Sequence, residues 1–582
     1  MTSTGLSGVR ATRTFAHALH EQAIRSPDVV GFRFVADDES VEEVTYAELD
    51  TRARTVAAGL LENAEGRDDP ALLLFAPGLD YLTGLFGCFY AGVPAVPAFP
   101  PDPTRLSRTL PRLAAIIEDT GSAVVLTTTD IKPFIEQWLE TTLGRAPRVL
   151  ATDELDSGGT GIEPTAPRGL PALLQYTSGS TSLPRGVVLT HAQLMDNCRD
   201  IGRGFGIHAD SSGALWLPPY HDMGLIGGIL TPLFFGIPAT LTSPVTFLRR
   251  PLSWLRMVSR QRATITGGPN FAYELCLRRA TDEDVEGLDL SSIEVTFTGA
   301  EPVRARTMAR FAERFGACGF RAESFYPCYG LAEATLFVTG GAPLGGWRSV
   351  QVASEPLDVD GHARPAVASE PSRQLVSCGR PGPDTRLLIV DPDSREPLDS
   401  GKVGEIWVAS PSVAEGYWRR PTESGATFGE KTAAGEGPFL RTGDLGFLRD
   451  GELFVTGRMK DLIVINGRNY HPADIELVCE NSVPGIRRNC GAAFSIEDAE
   501  KSTERLVLVY EVDPGSDRPH QDIIDDIRRT VSMGCSVPPY AVVLIPPRAI
   551  HKTSSGKVQR WMARRCYLAG EFEELARWEA AS

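Results

Sequence analysis

The densest run of chemistry-bearing residues is YTSGSTSLPRGVVLTH, Tyr176 to His191, directly after the strand-like ALLQ. Hydroxyls and glycines this closely spaced let backbone N–H groups and Ser/Thr oxygens approach a polyphosphate without side-chain collision. The GxxxxGK[ST] order of a Walker A loop is absent, so a P-loop is excluded and a Ser/Gly surface loop is the alternative. A second feature is the uncharged stretch 223–248, MGLIGGILTPLFFGIPATLTSPVTFL. It exceeds the roughly 20 residues that span a bilayer. Pro232, Pro238 and Pro244 interrupt it, which argues for a broken helix-strand segment lining an apolar cavity rather than a membrane span.

The elements that must position these residues alternate between helical and strand patterns. TYAELDTRARTVAAGLLE opens with Thr45 and Glu48 at capping-box spacing and carries Leu49, Ala53, Val56 and Leu60 on one face, so a helix is expected. Buried strands are expected at ALLLF (71–75) and SAVVLTTT (122–129), with a helix at DYLTGLFGCFYAG between them. The alternation continues through TITGG, NFAYELCLRRA and IEVTFTGA. From about residue 340, Gly, Pro and charge dominate, and loops around short strands are expected. After Gly457 a compact mixed pattern appears: DLIVING strand, PADIELVCENS helix, LVLVYEVD strand, DIIDDIRRTV helix, VVLIPP strand. The expected fold is α/β, a large N-terminal domain (1–458) of helix-flanked sheets with a β-rich subdomain, joined by a hinge to a small α+β C-terminal domain (459–582).

Bulk properties narrow the function. The chain has 582 residues, 42% hydrophobic and 23% charged, ordinary for a multi-part globular protein. Its net charge of -16 argues against a general electrostatic grip on nucleic acid or anionic membrane. The ten cysteines show no CxxC pairing, as expected of a cytoplasmic protein, and MTSTGLSGVRATRTFAHALH has no apolar core or cleavage signature of a secretory signal.

Further motifs follow in order: TGAEP (298–302), YGLAEAT (329–335), RTGD (441–444), GRMKDLIVINGRNYHPADIE (457–476) and KTSSGKVQR (552–560). With the Ser/Thr/Gly loop, they resemble the adenylate-forming superfamily over nearly the whole chain, and its fatty acyl-AMP ligase branch in particular. The resemblance implies ATP and Mg²⁺ as cofactors and Thr177, Ser178, Gly179, Ser180 and Thr181 around the phosphates. It implies Gly299, Ala300 and Glu301 at the adenine, Tyr329 and Gly330 along the base, and Glu333 as catalytic Mg²⁺ ligand. It further implies Asp444 on the ribose, Arg458 on the nucleotide, Lys460 as hinge and Lys557 as catalytic lysine. Such residues suit the chemistry: a carboxylate attacking an α-phosphate meets anion-anion repulsion, and the growing phosphoryl charge must be neutralised where it develops. Departures stand at Ser182, Arg185, Ala332 and His551, where many members have Gly, Lys, Thr and Pro.

LPPYHDMGLIGGILTPLFFG (217–236) and GGPNFAYELCLRR (267–279) resemble the branch's acyl-pocket segments. They imply an acyl site of His221, Asp222, Met223, Gly224, Phe271 and Ala272, with His221 also catalytic. Their apolar composition agrees, each buried CH₂ contributing about 0.8 kcal/mol. His221 and Asp222, polar at the mouth of the apolar run, are the alternative of a satisfied structural pair. Segment 349–378 resembles the insertion that separates this branch from acyl-CoA synthetases. The expected reaction is therefore ATP-dependent activation of a medium- or long-chain fatty acid to acyl-AMP and transfer to the phosphopantetheine thiol of an acyl carrier protein, for polyketide or nonribosomal lipid synthesis. Arg487 with Arg488, or Arg564 with Arg565, are candidate docking charges. The alternatives are a fatty acyl-CoA synthetase, an amino-acid-activating domain and a catalytically silent lipid-binding protein.

Overall fold

The computed structural model describes residues 14–63, 69–99, 106–142, 147–155, 162–164, 170–177, 184–465, 468–498, 503–553 and 556–580. It clusters into two compact units. One comprises 1–348, 378–387 and 407–442; the other comprises 349–377, 388–406 and 443–582.

The first unit carries a nine-stranded and a seven-stranded sheet. In the larger, Phe325–Gly330, Val295–Thr298, Ile265–Gly267, Gly213–Leu215, Ala239–Thr242 and Val30–Val35 lie side by side and all run parallel. Antiparallel strands close both edges. Strands covered on both faces are buried at every position, and Val295–Thr298 and Ile265–Gly267 are buried throughout, their threonines included. The capping box at the second helix forms as its sequence requires: Thr45 N donates to Glu48 at 2.9 Å and Glu48 N to Thr45 Oγ1 at 3.2 Å.

The uncharged stretch breaks as its prolines and glycines dictate, into a π-helix Met223–Leu230, a short helix Thr231–Phe235, a strand Ala239–Thr242 and a helix Pro244–Arg249. Among the described residues no helix is long and apolar enough to cross a membrane.

In the second unit, a sheet of Ile486–Asp498, Thr503–Val512, Ala541–Ile545 and Ala576–Glu579 packs between the helices Pro472–Ser482, His520–Gly534 and Arg560–Ala569. The expected boundary at 458/459 falls inside this unit, at the turn Met459–Asp461. Segment 349–378 is structured: Ser349–Ala353 pairs antiparallel with Ser372–Val376, and a helix Ser354–Val359 lies between. It buries Val352, Leu357 and Ala363 against Phe447 and Phe454, whose rings stack at 5.0 Å on the hairpin ending at Arg458. Arg373 then bridges Asp358 at 2.7 Å and Asp474 at 3.2 Å. Partial burial outweighs the Arg373 charge and pushes the Asp358 carboxyl up to about 6.

Candidate active site

In parallel sheets, ligands gather beyond the carboxyl ends of the strands. Four neighbouring strands of the nine-stranded sheet end here in candidate segments. Gly213–Leu215 leads to His221 and Asp222, and Ile265–Gly267 to Phe271 and Ala272. Val295–Thr298 leads to Gly299, Ala300 and Glu301, and Phe325–Gly330 carries Tyr329 and leads to Glu333. Segments more than 100 residues apart in sequence thus share one sheet edge, with the acyl candidates on two adjacent strands and the nucleotide candidates on the next two.

The turns that do this are sterically demanding. A Cβ on Gly330 would stand 1.7 Å from the Leu336 carbonyl oxygen, and one on Gly299 would stand 2.7 Å from that of Cys328. Ala300 takes φ 67° and Thr335 φ 70°, left-handed conformations that ordinary side chains disfavour and that surrounding bonds must hold. Thr335 Oγ1 donates to the Ser412 carbonyl at 2.6 Å. Fully buried Asn197 clasps the same turn: its Oδ1 accepts from Phe337 N at 2.9 Å, and its Nδ2 donates to the Phe337 carbonyl at 2.9 Å and to Ser412 Oγ at 3.1 Å.

Glu333 sits in the 3-10 turn Ala332–Ala334. Its Oε1 accepts from the Tyr417 hydroxyl at 2.9 Å. Burial first, and the Glu333 charge second, push the Tyr417 phenol well above its ordinary value, so it stays protonated and remains a donor. The Arg185 guanidinium lies 4.9 Å from the centre of the Tyr417 ring and pairs with Glu423 at 3.3 Å. Arg185 thus supports the tyrosine from one face of its ring.

His221 and Asp222 form a close pair, Nδ1 to Oδ1 2.5 Å, and Asp222 also caps the π-helix by accepting from Met223 N at 2.7 Å. Gly224 is obligatory, because a Cβ would stand 2.1 Å from the Pro218 carbonyl oxygen. Ala272 is buried, while Phe271 is half-buried with its ring 5.9 Å from that of Trp216. Of the loop candidates, Thr177 ends the strand Pro171–Thr177; Ser178, Gly179, Ser180, Thr181 and Ser182 lie outside the described residues. His191, which closes that motif, is a core residue: burial lowers its imidazole to about 3, and its Nδ1 accepts from Phe15 N.

In the second unit, Asp444 is buried and accepts from Arg458 Nε at 2.9 Å, across paired positions of one hairpin. Gly443, at φ 70° within the strand Leu440–Arg449, donates its N–H to buried Glu405 at 3.1 Å. Lys460 is exposed in Met459–Asp461. Lys557 lies on a tight hairpin in which its N–H donates to Thr553 Oγ1 at 3.1 Å and its carbonyl accepts from Thr553 N at 2.7 Å. Three residues on, Arg560 is held bidentately by Glu476, both contacts 2.7 Å, and by Asp461 at 3.2 Å. The lysine hairpin is therefore registered against the residue next to Lys460. Of the proposed docking charges, Arg487 is committed to buried Glu511, whereas Arg564 and Arg565 are exposed.

A model of the AMP-binding enzyme family matches residues 19–418. The medium-chain-fatty-acid–[acyl-carrier-protein] ligase JamA of Moorena producens is 43% identical, over 93% of this chain and 92% of that protein. The long-chain-fatty-acid–AMP ligase FadD26 of Mycobacterium marinum is 36% identical, over 97% and 98%. A fatty acyl-adenylate ligase from L. pneumophila, solved with acyl adenylate and pyrophosphate, is 39% identical with a TM-score of 0.75, covering 97% of this chain and 98% of that one.

Proposed function

Since this chain belongs to the AMP-binding enzyme family, and within it to the fatty acyl-AMP ligases, we propose that it joins a medium- or long-chain fatty acid to the α-phosphate of ATP, releases pyrophosphate, and passes the acyl group to the phosphopantetheine thiol of an acyl carrier protein with release of AMP. The observation that carries this reading is the shared edge of four parallel strands, where the apolar segments of the acyl side adjoin the Gly299–Glu301 and Tyr329–Glu333 segments of the nucleotide side.

The chain's own residues divide the work. The loop from Thr177 to Thr181 cradles the leaving pyrophosphate. Gly299, Ala300, Glu301, Tyr329 and Gly330 shape the adenine side, and Asp444 with Arg458 receives the ribose. Met223, Gly224, Phe271 and Ala272 wall the alkyl chain, with His221 and Asp222 at its polar mouth. Lys557, carried on a C-terminal domain that turns about Lys460, meets the charge that develops on the phosphoryl oxygens. The donor set suits Mg²⁺, which takes one or two carboxylates and leaves its other positions to phosphate and water. Glu333 supplies such a carboxylate, and no cluster of three or more His, Cys, Asp or Glu able to hold a metal occurs among the described residues. When bound, the ion neutralises phosphate charge.

Tyr417 fixes one oxygen of Glu333 and so acts on the metal position at second hand. Tyr417→Phe is expected to raise the Mg²⁺ concentration needed for half-maximal fatty-acid-dependent pyrophosphate exchange by about tenfold. A magnesium titration of the exchange rate checks it.

Carrier protein rather than coenzyme A as acceptor is supported by segment 349–378, which packs on the Phe447/Phe454 hairpin and is pinned by Arg373 to the helix bearing Asp474. A segment fastened on both sides restrains the rearrangement that would admit the free thiol of coenzyme A. Incubation with ATP and a fatty acid should acylate a holo-carrier protein and leave coenzyme A largely unacylated. Rapid acyl-CoA formation would instead make this an acyl-CoA synthetase. We place the reaction in the cytoplasm, in keeping with ten free cysteines, eight of them buried.

A further inference from the structure

Two helices meet at the boundary between the acyl and nucleotide sides, and neither caps itself. Pro269 before Asn270–Arg279 and Arg304 before Ala305–Phe315 make no side-chain cap. Each helix start is served by the other's approach: Glu301 Oε1 accepts from Phe271 N at 2.6 Å, and Asn270 Oδ1 accepts from Arg304 N at 3.1 Å. Asn270 is only 5% exposed. Its Nδ2 reaches Thr307 Oγ1 at 3.4 Å, and that hydroxyl donates to Glu274 at 2.8 Å, returning to the first helix. The bonds span adjacent parallel strands, Ile265–Gly267 and Val295–Thr298. Beside them Ala300 is held at φ 67°, a conformation that persists only where neighbours over-determine it.

We propose that Glu301 and Asn270 are positioning residues that couple fatty-acid occupancy to nucleotide affinity. This rests on the assignment above of Phe271 to the acyl side and of Gly299–Glu301 to the adenine side. A carboxylate on a helix-start amide is a charge-assisted bond, stronger than a neutral one and favoured by the helix dipole. Glu301 therefore ties the backbone of an acyl-wall residue to the adenine turn. A fatty acid that orders the start of Asn270–Arg279 orders the turn as well, so the nucleotide binds to a segment already fixed. Coupling of this kind is reciprocal: ATP must tighten the fatty acid by the same factor.

The test is titration calorimetry of the full chain with a non-hydrolysable ATP analogue, with and without a saturating medium-chain fatty acid. In the wild type the acid should tighten the analogue by about 5- to 100-fold. Glu301→Ala should bring that ratio close to one, whereas Glu301→Gln, whose amide oxygen accepts the same bond, should keep most of it. Asn270→Ala should lower the ratio as well, an independent arm should Glu301→Ala fold poorly. A wild-type ratio of one, or an undiminished ratio in Glu301→Ala, overturns the coupling while leaving the adenylation chemistry standing. Wild-type protein that binds neither ligand and forms no acyl-adenylate overturns the assignment beneath it as well.

Discussion

Replacing Lys557 with alanine is expected to lower acyl-adenylate formation by about 10²–10³, the usual loss when one preorganised donor to a developing oxyanion is removed. The fold survives, because the hairpin is held by the Lys557 main chain, through Thr553, and by the bond from Gln559 N to the His551 carbonyl at 2.9 Å. The Arg560 clamp to Glu476 and Asp461 also involves nothing of the lysine side chain. Fatty-acid-dependent pyrophosphate exchange measures the loss, and an unchanged melting curve separates it from unfolding. A variant that retains near wild-type exchange would remove Lys557 from the reaction. Transfer of an acyl group from supplied acyl-adenylate to a carrier should fall less than adenylation, since the phosphoryl charge that the ammonium meets belongs to the first step.

The second large effect is expected of Glu333→Gln. The amide is isosteric and still accepts from Tyr417, so the turn Ala332–Ala334 should keep its shape while the carboxylate charge disappears. A hard cation held by Glu333 and by phosphates would lose an anionic protein donor. Exchange activity should fall on the order of 10², with excess magnesium restoring part of it. Tyr417→Phe should cost less, because it removes orientation and leaves the charge. Equal losses in the two variants would mean that Glu333 acts through the turn's geometry rather than through a metal.

The chemistry of this chain is legible in its sequence wherever it is local. Thr45 and Glu48 cap a helix because three residues close one turn, and the Pro- and Gly-broken run 223–248 could not have formed one helix. The alternation that builds parallel sheets stands in the order of its apolar runs. Other elements escape such reading. The strand Ile486–Asp498 begins IRRN, with Asn489 at φ 56° and a register shift before Gly491, so no period of two marks its start. Segment 349–378 has a loop composition, yet it forms a strand pair and a helix because it can bury Val352, Leu357 and Ala363 on a partner surface formed by Phe447 and Phe454.

By itself, the sequence determined the family, through short motifs in a fixed order, and the residues proposed to meet phosphate, ribose and alkyl chain are those that the resemblance implies. Only the tertiary structure decided which residues support them: Tyr417 on Glu333 across 84 positions, Asn197 on Phe337 across 140, Glu301 on Phe271 across 30, and Arg560 on Glu476 across 84. These partners carry no motif because a hydrogen bond between distant segments needs only one donor and one acceptor at the right place. The sheet register and the buried turns set that place, and spacing along the chain does not.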